Sequence, residues 1–206
     1  MKRTRGVAVL ALTAPESGVE TQQQRRERVL DAALAIAATG GYEAVQMRLV
    51  AKRSGIAVGT LYRYFPSKVH LLVSLLGREI EHVDTTAELN AVAGSASERL
   101  HHIIDRLNRS MQRNPQLAEA MTRAFVFADG SAAAEVDRVS RMTDRMFARA
   151  ISDGQPAEQH YRTARVISDV WLSNLLAWLT RRASAADVSR RLDLAVRLLV
   201  GESICR

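Results

Sequence analysis

The stretch Gly55-Ile56-Ala57-Val58-Gly59-Thr60-Leu61-Tyr62-Arg63-Tyr64-Phe65-Pro66-Ser67-Lys68 carries the side chains best suited to chemistry at a surface. On a helix Leu61 and Phe65 stand four apart and share a face that can be buried. Thr60, Tyr62, Arg63 and Tyr64 occupy the remaining surface, with Lys68 just beyond. Hydroxyls, a guanidinium and two flat rings on a short helix with basic flanks suit the DNA major groove. There side chains read base edges while phosphates hold the register. Val58 and Tyr62 fall on one face, Gly59 allows close approach of backbone to DNA, and Arg63 sits beside that face. Tyr64 and Lys68 fit phosphate contacts, as do Gln46 and Arg48 at the start of the preceding helix. The plainer alternative is that the tyrosines are half-buried core and the basic residues merely solvated.

These groups need elements to hold them. Thr21 is a good N-cap for a first helix running to about Ala38, with Val29, Ala32, Ala33, Ile36 and Ala37 on one apolar face and Gly40-Gly41 as the stop. A second helix covers Gln46 to Ser54 and is closed by Gly55, which can take the positive φ that ends a helix. The third spans Val58 to Phe65, and Pro66 stops it. Two short helices joined by a glycine turn behind a longer one make a helix-turn-helix unit. Ser67 caps a fourth helix bearing Leu71, Leu72, Leu75, Leu76 and Ile80. Almost no linker separates it from the third, so any tilt of the fourth helix moves the reading helix.

The remaining segments also read as helices. One opens at Ser95 and runs to about Arg113; another opens at Asn114-Pro115; Asp129-Gly130-Ser131 is a break. The next helix extends to about Ser152, one runs from Pro156 to about Arg182, and Ser184 caps the last. No alternating β-branched run is long enough for a strand. The fold class expected is all-α, about nine helices in all. Its parts are a basic disordered arm over 1–20, a helix-turn-helix domain over 21–66 and a larger helical domain over 67–206.

Charge agrees with that division. The chain of 206 residues carries a formal net charge of +7. Residues 1–70 hold 11 Lys+Arg against 5 Asp+Glu, and the remainder holds 18 against 17. An excess confined to one end points to a polyanion-binding module on a near-neutral body rather than a uniformly basic surface. Cys205 is the single cysteine, so no intrachain disulfide forms and a cytoplasmic setting is expected. Lys2, Arg3 and Arg5 before an apolar run imitate a secretory signal, but about six apolar residues fall short of the usual 7 to 15. No stretch reaches the roughly 18 apolar residues of a membrane helix, so no membrane partner is expected.

At this point the residues resemble a family. Gly40-Gly41-Tyr42-Glu43-Ala44-Val45, Val50-Ala51-Lys52-Arg53-Ser54-Gly55-Ile56 and the run from Val58 to Lys68 resemble the N-terminal signature of TetR-type transcriptional repressors. The resemblance implies a homodimer on a palindromic double-stranded DNA operator, with Val58, Gly59, Thr60 and Tyr62 facing the groove. Segments Met111–Pro115, Glu119–Ala124, Val126–Asp129 and Ala164–Leu179 resemble the branch of that family that represses cholesterol catabolism in actinobacteria. That implies release by a small-molecule effector, a steroid acyl-CoA thioester. A family member governing drug efflux or other lipid metabolism through a different apolar ligand is the alternative.

Such a regulator needs a cavity and a pairing surface. The central helices supply soft and aromatic side chains, among them Leu107, Met111, Met121, Phe125 and Met146, with Trp171 beside polar Asp169 and Asn174 in an otherwise apolar helix. Methionine suits an adaptable cavity, although each of these residues could equally fill an ordinary core. For pairing, Trp178 and the stripe Leu192, Ala195, Val196 and Leu199 on the last helix could build a four-helix interface between subunits, or serve as intrachain core. An enzyme is the rival class. No Gly-x-Ser-x-Gly, His-Glu-x-x-His or paired-cysteine motif occurs, and adjacent His101 and His102 diverge by about 100° on a helix. No catalytic residue, metal ligand or cofactor is assigned.

Overall fold

The computed structural model describes residues 21–86 and 94–201. The basic arm over 1–20 and Cys205 lie outside them. Every regular element among the described residues is helical: α1 (Gln22–Ala44), α2 (Met47–Ser54), α3 (Val58–Tyr64), α4 (Lys68–Thr86), α5 (Ala96–Arg113), α6 (Pro115–Val126), α7 (Ala133–Ile151), α8 (Glu158–Leu179) and α9 (Ala185–Val200), with a 3-10 turn at Gly130–Ala132.

Local chemistry fixes four of the helix starts. Thr21, Ser95 and Ser184 each accept a backbone N–H three residues on, and Gln24, Glu98 and Asp187 reach back to the cap. The hydroxyl and N–H of Ser95 and Ser184 hold the Glu98 and Asp187 carboxyls below their usual pKa. Asn114 does double duty: its side-chain oxygen caps α6 at Leu117 N, and its amide donates to Ala38 O of α1 at 3.1 Å. Gly55 takes φ 67° and turns α2 into α3, as the spacing requires.

Some ends differ from the sequence reading. Helix α1 passes Ala38 and reaches Ala44, with a break inside it at Gly41 (φ 64°, ψ −163°), a conformation only glycine adopts readily. Helix α8 begins at Glu158 rather than Pro156 and stops at Leu179, where Arg181 turns the chain with φ 59°.

The first three helices close over Leu30, Ala33, Val50, Leu61 and Phe65, none more than 1% exposed. Arg26 of α1 lies over the Phe65 ring at 5.2 Å, and burial pushes its guanidinium below the usual arginine value. Helix α4 runs from this unit into the larger domain, burying Leu71, Leu72, Val73 and Leu75 completely. Helix α6 packs on both α1 and α4, while α7 lies between α4 and α8, and α9 closes against α8 and α5. The reading unit therefore touches the larger domain along a broad front.

Candidate nucleic-acid interface and effector cavity

Helix α3 is seven residues long and splits cleanly by face. Leu61 is fully buried, whereas Val58 (39%), Gly59, Tyr62 (45%) and Arg63 are exposed on the outer side. Val58 and Tyr62 stand four residues apart, so the two exposed side chains share one face of the helix. A Cβ built on Gly59 meets nothing within 4 Å, so the fold itself does not need glycine there. Arg63 Nη2 lies 3.5 Å from Thr60 Oγ1, which keeps the guanidinium along the helix surface. Thr60 and Tyr64 are half-buried, with Tyr64 tilted against Phe65 at 6.5 Å between ring centroids. Gln46 and Arg48 are exposed at the start of α2, and Gln46 spends no side-chain hydrogen bond on capping it.

Lys68, expected at a phosphate, is engaged within the fold. Its Nζ donates to Tyr42 O at 3.1 Å and stands 3.8 Å from the centre of the Tyr42 ring. The other cation at that ring is Arg123 of α6, 4.3 Å away and paired with Glu43 at 3.0 Å. Tyr42 thus bridges the start of α4 to α6. A parallel strut is buried His70: Ser67 Oγ lies 2.9 Å from its Nδ1, and Ser131 O 3.0 Å from its Nε2. Neither role is legible in the local sequence, since Tyr42 meets Lys68 and Arg123, and His70 meets Ser131, across long stretches of chain.

Helices α4, α6, α7 and α8 enclose a cavity of about 250 Å³. Leu76 and Ile80 of α4, Val139 of α7, and Trp171, Leu172 and Leu175 of α8 make its apolar wall. Its polar lining comprises Thr122, Ser140, Thr143, Asp144, Arg165, Ser168 and Asp169. Asp144 is buried, accepts from Ser168 Oγ at 2.8 Å and faces Arg165 Nε at 3.6 Å. Trp171 is fixed by its Nε1–H, which donates to Asn108 Oδ1 at 3.1 Å.

Of the residues expected around an effector, Phe125, Asp169 and Trp171 line this cavity. Leu107, Met111, Met121 and Met146 do not: each is at most 3% exposed and belongs to the continuous core. Asn174 is also displaced from the lining; it is buried, and its amide donates back to Val170 O at 2.8 Å. The apolar period of a helix is the same whether the face meets a neighbour or a cavity, so spacing does not separate core from lining. The walls that were missed, Leu76, Ile80 and Val139, carry ordinary core residues in ordinary core spacing.

The last helix needs a similar correction. Leu192 (1%) and Val196 (0%) fill the subunit's own core, so they are not free to pair with a second copy. Ala195 is half-buried, and Trp178 packs partly buried against the core. The outward face of α9 instead presents Leu194 (52%), Leu198 (75%) and Leu199 (41%).

Residues 29–75 match the family model for bacterial regulatory proteins of the tetR family, and residues 94–199 match the tetracyclin repressor-like C-terminal domain. The chain belongs to the TetR family. It is 68% identical to the HTH-type transcriptional repressor KstR of Mycolicibacterium smegmatis, over 94% of this chain and 95% of that one. Among solved structures it resembles a TetR transcriptional regulator from Rhodococcus sp. RHA1, with TM-score 0.81 and 30% identity over 88% of this chain and 99% of the other. It also shares its fold with Thermus thermophilus FadR, a repressor solved in complex with lauroyl-CoA, at TM-score 0.65 and 20% identity over 88% and 96%. The chain is therefore a KstR-like DNA-binding transcriptional repressor and not an enzyme. No helix among the described residues is long and apolar enough to cross a membrane.

Proposed function

We propose that this TetR-family repressor binds palindromic operators as a homodimer in the cytoplasm, and that a steroid acyl-CoA thioester releases it to switch on sterol-catabolism genes. The observation that carries the reading is the pairing of an exposed Val58-Gly59-Tyr62-Arg63 face on α3 with an apolar cavity walled by α4, the helix that follows α3 directly in the chain. The likeness of the α6 and α8 segments to repressors of cholesterol catabolism, and the 68% identity to KstR, support the effector class. The acyl-CoA named in the FadR structure supports a thioester ligand.

The cavity also suggests how release works. Its volume of about 250 Å³ is below the usual range of roughly 300–1,000 Å³ for small-molecule sites. A steroid ring system has to widen it, pressing on Leu76 and Ile80 of α4 and on Phe125 of α6. Both helices lead to the reading unit, α4 at Lys68 and α6 through the Arg123–Tyr42 contact. Displacing them changes the spacing of the two reading helices from one DNA turn, about 34–36 Å, and affinity falls. The effector acts only insofar as it binds the widened state better, since equal affinity for both states would shift nothing.

Titrating the protein onto a palindromic operator, with and without steroid acyl-CoA, tests the reading. Release by steroid thioesters supports it; release only by unrelated drugs or by fatty acyl-CoA assigns the cavity to a different apolar ligand. Two substitutions separate the parts. Phe125→Ala should leave operator affinity within about twofold and raise the effector concentration for half-release roughly tenfold, given the apolar area removed. An unaltered dose curve would place the ligand elsewhere. Gly59→Ala should preserve or raise the melting temperature, because alanine favours a helix over glycine by up to about 1 kcal/mol and its methyl meets open space. The same methyl stands where backbone and DNA approach, so operator affinity should fall; full affinity in a gel-shift titration would contradict the docking face.

A further inference from the structure

Thr122 of α6 is 2% exposed, lines the cavity, and its hydroxyl has no hydrogen-bond partner. Helical threonines commonly return the hydroxyl to a carbonyl one turn back, as Thr143 does to Val139 O at 3.1 Å. Thr122 makes no such bond. A buried hydroxyl without a partner is destabilising and calls for a reason. The other buried polar groups of the lining are satisfied, since Asp144 accepts from Ser168 and faces Arg165.

Position completes the argument. Thr122 belongs, with Leu76, Ile80 and Val139, to the buried part of the lining, whereas Arg165 and Asp169 are exposed. A ligand entering past Arg165 and Asp169 brings its leading end to Thr122 and keeps its charged tail in water.

We propose that Thr122 donates a hydrogen bond to a carbonyl or hydroxyl oxygen at the leading end of the effector. The effector is then an apolar thioester whose body ends, away from the coenzyme, in oxygen. A plain fatty acyl chain, which ends in a methyl group, leaves the Thr122 hydroxyl unsatisfied and is discriminated against for that reason. This deepens the effector reading above and rests on it.

The test uses two CoA thioesters of one steroid side-chain acid, one with a ring ketone remote from the thioester and one with a methylene at that carbon. Binding is followed through Trp171, which lines the cavity, in the full-length wild type, Thr122→Val and Thr122→Ser. For a single net hydrogen bond, Thr122→Val should weaken the ketone ligand roughly three- to tenfold and leave the methylene ligand unchanged. Thr122→Ser should restore the ketone preference. Unliganded Thr122→Val should melt at or above the wild-type temperature, because it sheds an unsatisfied buried hydroxyl.

Equal losses for both ligands, or no loss for either, overturn the assignment while leaving the steroid reading intact. A lower melting temperature for Thr122→Val shows that the hydroxyl already has a partner and also overturns it. If wild-type protein binds neither thioester, the effector class itself is wrong and the assignment falls with it.

Discussion

Tyr62→Ala should weaken operator binding by about a hundredfold while the protein stays folded and its oligomeric state is unchanged. A base-edge contact is worth roughly 1–3 kcal/mol, and in the proposed homodimer a twofold operator meets two copies of the side chain, so the expected loss is about 2–6 kcal/mol. At 1.4 kcal/mol per factor of ten, about a hundredfold falls in the lower part of that span. Tyr62 is 45% exposed and its neighbour Leu61 is fully buried, so the two positions divide the labour of the helix. Leu61→Ala removes core and should cost about 2–5 kcal/mol of stability, losing DNA binding by unfolding. Fluorescence anisotropy with an operator duplex, paired with a thermal melt of each variant, separates these outcomes. Full affinity in Tyr62→Ala would remove α3 from the groove.

The second large effect concerns the outward face of α9, where the proposed homodimer would pair. Replacing Leu194 and Leu198 together by arginine should give folded monomers, because both side chains point away from the subunit core. In a dimer the same four arginines would meet across the twofold axis, desolvated and without partners. Two linked reading heads hold a palindrome more tightly than one by a factor of about 10²–10⁴, so operator affinity should collapse by a comparable amount. Sedimentation velocity reads the first consequence and an operator titration the second. A variant that stays dimeric would show that the outward face of α9 is not what pairs. By contrast, the same change at Leu192 or Val196 should unfold the subunit, since these side chains are 1% and 0% exposed.

The two halves of the molecule were not equally legible. Thr21, Ser95 and Ser184 announced their helices because a cap hydroxyl and a carboxyl or amide three residues on act within one turn. Gly55, with its left-handed φ, marks a local backbone need of the same kind. The exposed face of α3 follows from local spacing too: once Leu61 and Phe65 point inward, helical geometry turns Val58 and Tyr62 outward.

Sequence alone therefore determined the all-helical character, the turn that sets α3 on the surface, and which of its side chains face out, because each depends on interactions within about four residues. Tertiary structure alone decided which soft side chains became solid core and which bordered a cavity. Met111 and Met121 touch only the core, while Ile80 and Val139 also border the cavity, although all four sit on apolar helical stripes. It decided, too, that α9 spends Leu192 and Val196 inside the subunit and leaves Leu194 and Leu198 outside. A stripe shows that a face is apolar; the crossing of α4, α6, α7 and α8, set by contacts far apart in the chain, determines whether another helix, a ligand or a second subunit covers it.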